Sequence, residues 1–76
     1  MTSEDTDNVY RVYARWADQK VKYKTQTYSR KVAEFAWEEL KNKQWPKGKT
    51  PSNLVFNCTG RDNKKENIGY VNLENN

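Results

Sequence analysis

Arg11, Tyr13 and Arg15 alternate along one stretch of the chain, and Lys20, Lys22 and Lys24 alternate along the next. At strand spacing each trio lies on one face, so two paired strands would present a basic patch with an aromatic ring among the charges. Ammonium and guanidinium groups set in a row meet phosphates or carboxylates, and a tyrosine between them stacks on a base or packs on a partner side chain. Like charges placed side by side weaken a sheet, which leaves the arrangement costly on structural grounds alone. The competing account is protective, because lysines on an edge strand discourage sheet-to-sheet aggregation. Lys43, Lys47 and Lys49, in a later loop, extend the strip.

Catalysis finds few tools here. The chain has no His, the commonest general base and metal ligand, and one Cys. Cys58 alternates with Leu54 and Phe56, which reads as a buried small hydrophobe and not as an activated nucleophile. Glu34, Glu38 and Glu39 stand beside lysines on an expected helix and read as a solvated face. Gly48-Lys49-Thr50 copies the end of a phosphate-binding loop, but Lys43 stands where the first glycine belongs, and the element before it is helical. Asn57-Cys58-Thr59 is a formal glycosylation sequon without an export signal to give it meaning. The expectation is a protein without enzymatic activity, metal, cofactor or small-molecule substrate.

The 76 residues suffice for one small domain with a marginal core. A lone cysteine closes no internal disulfide, which fits a reducing, cytoplasmic setting. No apolar run nears the roughly 20 residues of a membrane span, and the polar, acidic start is unlike a secretory leader. The charge of +4 is uneven: residues 1–8 carry −3, residues 9–50 carry eleven bases against four acids, and residues 51–76 balance to zero. Residues 1–8 read as a disordered acidic tail ahead of a single domain over 9–76.

Elements follow from periodicity. Tyr10, Val12, Ala14 and Trp16 oppose Val9, Arg11, Tyr13 and Arg15, and Val21, Tyr23, Thr25 and Thr27 oppose the lysines and Gln26. A two-residue loop at Asp18-Gln19 would set Trp16 against Val21, Ala14 against Tyr23 and Val12 against Thr25, so the two apolar faces coincide. Ser29 caps a helix from Arg30 to about Gln44, with Val32, Ala33, Ala36 and Leu40 as its stripe, Phe35 and Trp37 flanking it, and a Glu39–Lys43 pair on its surface. Trp45 to Pro51 is a rigid loop from which Trp45 folds back on the core. Asn53–Thr59 is a strand with Leu54, Phe56 and Cys58 on one face. Gly60–Asn67 is a polar turn, and Ile68–Leu73 is a last strand whose inward pair, Ile68 and Tyr70 or Val71 and Leu73, stays open. Tyr10, Trp16, Tyr23, Phe35, Trp37 and Phe56 are expected in the core. The outcome is an α+β fold: a small two-layer domain in β-β-α-β-β order, its mainly antiparallel sheet carrying one helix on one face.

The strand–strand–helix order with basic strands resembles, in layout, the three-stranded DNA-reading domains of plant transcription factors and of integrase arm-binding regions. The short, histidine-free chain is similar in layout to small phage-encoded inhibitors of host defence, some anti-CRISPR proteins among them. A shared layout does not fix function. The leading expectation is stoichiometric docking of the basic hairpin on an acidic or nucleic-acid-binding partner protein, as inhibitor or adaptor, with no membrane role. The alternatives are direct, largely nonspecific DNA or RNA binding through the same face, and self-association through an edge strand.

Overall fold

Alternating side chains build β1 (Val9–Arg15) and β2 (Val21–Thr27), helical spacing builds α1 (Arg30–Asn42), and alternation resumes in β3 (Asn53–Thr59) and β4 (Lys65–Asn72). The computed structural model describes residues 8–73; the expected acidic tail lies almost wholly outside them, only Asn8 being described. The four strands form one antiparallel sheet in the order β2-β1-β3-β4. β2 and β3 run parallel with β1 between them, so α1 is the crossover that carries the chain over β1. It covers one face of the sheet and leaves the other open, as the α+β two-layer reading expects.

Both hairpins turn through the same chemistry. In the first, Trp16 N–H donates to Lys20 O, Gln19 N–H to Trp16 O, and Lys20 N–H to Asp18 Oδ1. In the second, Gly60, Asn63 and Lys64 repeat these bonds to Lys64 O, Gly60 O and Asp62 Oδ1. Gln19 and Asn63 take the left-handed conformation that ends such a three-residue loop, at φ 73° and 66°.

The expected two-residue loop is therefore wrong by one residue, and the register near the turn shifts with it. Arg15 pairs with Val21 and Ala14 with Lys22, in place of the expected Lys22 and Tyr23. A bulge opposite Tyr13 absorbs the extra residue, and beyond it Val12–Thr25 and Tyr10–Thr27 pair as the alternation predicts. One turn residue and one bulge residue cancel. β4 does the same: it begins at Lys65, earlier than expected, and bulges at Ile68, so Asn57 pairs with Asn67 but Phe56 with Gly69. The bulge settles the open question of β4, because Ile68, Val71 and Leu73 all pack against the core while Tyr70 points the other way.

The core is Tyr10, Val12, Ala14, Leu54 and Phe56 from the sheet against Ala33, Trp37 and Leu40 from α1. Ser29 caps the helix as expected, its Oγ accepting from Val32 N–H at 3.3 Å. The helix stops at Asn42, two residues short of the expected end, and is rotated from the expected stripe. Trp37 is buried while Val32 is 50% exposed and Phe35 67% exposed. The space under Gly69 decides this: a Cβ there would lie 2.8 Å from Trp37 Cζ2, so the missing side chain admits the indole over the sheet. Tyr23 also leaves the expected core. Arg30 and Glu34 pair at 2.9 Å, and that hydrogen bond foremost holds the guanidinium above its ordinary pKa. Lys41 pairs with Glu38, whereas the expected Glu39–Lys43 pair gives way to Lys43 lying over aromatic rings.

Candidate functional site

The open face of the sheet is set by strand pairing alone. Arg11, Tyr13 and Arg15 come from β1, opposite Asn57, Val55 and Asn53 of β3, which in turn face Asn67, Tyr70 and Asn72 of β4. Tyr13, Val55 and Tyr70 thus form one row across three strands. Bases surround that row: Arg11, Arg15, Lys24 from the β2 bulge, and Lys65 from the start of β4. Among the described residues this face carries no acidic side chain. Glu34, Glu38 and Glu39 lie exposed on α1, Asp18 and Asp62 sit in the two turns, and Glu66 shares the face of Cys58.

The centre of the face is ordered. Arg11 donates from Nε to Gln26 Oε1 at 3.2 Å and from Nη1 to Thr59 Oγ1 at 3.1 Å, so two neighbouring strands hold its guanidinium in place. A hollow of about 320 Å³ lies between Arg11, Tyr13, Lys24 and Lys65, with Asn57 on its wall. Asn57 is 3% exposed, and its Oδ1 has no hydrogen-bond donor among the described residues; the same holds for Asn53 Oδ1. A buried acceptor without a donor is costly to the fold.

The structure divides the nine residues expected to bind. Arg11, Tyr13, Arg15 and Lys24 share the open face as expected. Lys22 does not: the three-residue turn swaps it with Val21, putting Val21 beside Arg15 and Lys22 over the ring of Trp16, 6.0 Å from its centroid. Lys20 sits at the turn, 3.9 Å from Asp18, and Lys49 lies across a cleft from it. Lys43 lies over Tyr23 and Trp45, at 5.0 and 5.4 Å. Lys47 is an exposed turn residue. These five belong to the turn end of the molecule, where Trp16, Tyr23 and Trp45 meet, and do not extend the open-face strip. Sequence reasoning missed Lys65, Tyr70, Val55 and Asn57. Alternation signals Val55 and Asn57 as the counter-face of Leu54, Phe56 and Cys58, but nothing in the sequence announces the β4 bulge that turns Tyr70 outward.

Comparisons with protein-family models, with curated proteins and with solved structures return no match, so no relative carries a function over to this chain.

Proposed function

We propose that the protein is a small non-enzymatic binding protein that docks through the open face of its sheet on an acidic surface of a partner protein and acts by occupying it, as inhibitor or adaptor. The observation that carries this reading is the segregation of charge: Arg11, Arg15, Lys24 and Lys65 ring the Tyr13–Val55–Tyr70 row, and every described acid lies elsewhere. Tyrosine and arginine are the side chains that dominate protein interfaces, and a basic rim steers an acidic partner while suppressing others. Arg11, already fixed by two hydrogen bonds, loses little freedom on docking.

The test is a variant carrying Arg15→Glu, Lys24→Glu and Lys65→Glu, which spares Arg11 and its hydrogen bonds. It should keep the wild-type circular dichroism and lose the partner that the wild type captures from a nuclease-treated lysate. Capture that persists in the variant would place the interface elsewhere. A second reading, direct nucleic-acid binding, draws on one feature: Tyr70 is 61% exposed amid these bases, an open platform for a stacked base. Fluorescence polarisation with random DNA and RNA separates the two. Phosphate-led binding weakens with salt at about 0.9 log units per neutralised phosphate for each tenfold rise, whereas docking on protein leaves both probes unbound.

A further inference from the structure

At the turn end of the molecule, on the helix side of the sheet, three aromatic rings meet where the first turn and the α1–β3 loop come together. Trp16 and Trp45 contact edge to face at 5.7 Å, Tyr23 meets Trp45 at 5.4 Å, and Trp16 and Tyr23 lie 6.2 Å apart. Beside them is a cleft of about 370 Å³ walled by these rings and by Lys20, Lys22 and Lys49. Asp18 is its one acid and is already near Lys20. Lys43 is not part of that wall; it lines the neighbouring groove and lies over Tyr23 and Trp45 from there. Pro46 to Lys49 closes the far side with a tight turn in which Lys49 N–H donates to Pro46 O and Gly48 takes φ 82°.

Tyr23 is the residue that packing does not explain. It holds φ at 59°, a conformation hostile to a bulky side chain, and remains 54% exposed. Its ring fills no core space. What the strained bulge achieves is direction, since it turns Tyr23 toward Trp45 and the cleft. Outliers of this kind gather at binding sites, where the surroundings impose them.

We infer that this cleft binds a nucleoside phosphate unit, its base lying against Tyr23 and Trp45 and its phosphate held by Lys20, Lys22 and Lys49. Rings without sequence-reading partners suit any base. Lysines bind phosphate as point charges and need no fork geometry. The volume lies in the range of small-ligand sites, about 300–1,000 Å³. The site is separate from the open face, whose Arg15, Lys24 and Lys65 do not line it, so it stands or falls apart from the docking proposal. The nucleotide unit comes either free or as part of a single strand.

The three indole N–H signals in a proton–nitrogen NMR spectrum report on the site, with buried Trp37 as the internal reference. Adenosine monophosphate titrated into the full chain should shift Trp16 and Trp45 saturably and leave Trp37 in place. Adenosine and inorganic phosphate, each half of the ligand, should bind at least about tenfold more weakly, a loss of about 1.4 kcal/mol. The decisive variant is Tyr23→Gly. Glycine relaxes the strained backbone while giving up the ring's contacts with Trp16 and Trp45, so the protein should stay folded with a Tm near that of the wild type and yet lose about tenfold or more in affinity. A short oligodeoxyadenylate that binds tighter than the monophosphate identifies a strand as the source, and the reverse identifies the free nucleotide. Indole signals unmoved by both probes, inorganic phosphate matching the monophosphate, or undiminished binding by Tyr23→Gly would each overturn the inference. So would binding lost in the Arg15→Glu, Lys24→Glu, Lys65→Glu variant but retained in Lys22→Ala, Lys49→Ala.

Discussion

Two single residues show the fold carrying one cost that packing alone would remove and one gap that packing requires. Asn57 is buried between Arg11 and Asn67 with Oδ1 unpaired, in a run that otherwise reads Leu54-Val55-Phe56. Asn57→Leu keeps the shape and removes the orphan acceptor, so Tm should rise, by about 4–8 °C for each kcal/mol recovered; a lower Tm would mean that the amide has a donor. The same variant should weaken partner capture if the hollow beside Asn57 belongs to the interface. Gly69 is the opposite case. Gly69→Ala drives a methyl to 2.8 Å from Trp37, which is itself wedged against Phe56 at 5.6 Å. A loss of about 1–3 kcal/mol is expected by urea titration. Gly60→Ala, whose methyl would meet nothing nearer than 3.4 Å, is the control and should lose much less.

Among the elements, the paired hairpins explain how far the sequence could be read. Strand spacing alone predicted β1, β3 and the distal half of the first hairpin, because burial on one face leaves alternation no freedom there, and the Ser29 cap was legible from its residue type ahead of the helical stripe. The half nearest the turn was not legible. Gln19 is neither glycine nor asparagine, so no residue advertised the left-handed position that makes the first loop three residues long. The misplacement of Lys22 descends from that one residue and from the bulge that restores register, whereas Lys43, Lys47 and Lys49 miss the strip because their loop lies at the turn end beside Trp45. The rotation of α1 was hidden for another reason: helical spacing supports both Val32 and Trp37 as inward positions, and only the space over Gly69, on a strand distant in sequence, chooses Trp37. The turn chemistry makes a prediction. Gln19→Gly should stabilise by about 0.5–1 kcal/mol, since a left-handed side chain costs more than glycine's added chain entropy. Asn63→Gly should gain less, asparagine being better tolerated there. Thermal melts of both decide it, and equal gains would mean that the two turns differ in strain from what their dihedral angles imply.

For the whole molecule, an open face that gathers Arg11, Arg15, Lys24 and Lys65 without an acid among the described residues creates an unbalanced surface that a small core must hold together. Added NaCl should therefore raise Tm as the Debye length falls from about 30 Å at low ionic strength to about 8 Å, and Arg15→Gln should raise it at low salt only. A Tm that falls with salt would show that the opposed charges help the fold more than the gathered ones strain it. No helix among the described residues is long and apolar enough to cross a membrane. The seam between β1 and β3 has a consequence of its own. It runs from Val9–Thr59 to Arg15–Asn53, and Ser52 N–H ties its end to Arg15 O at 2.8 Å. Tyr13, Arg15 and Lys24 arrive on one hairpin, and Val55, Tyr70 and Lys65 on the other. Neither hairpin owns the proposed docking face. If that face docks as proposed, a chain cut in the loop before Pro51 would be mute as two pieces and regain its voice on mixing, and binding would report that the longest-range pairing in the molecule has closed.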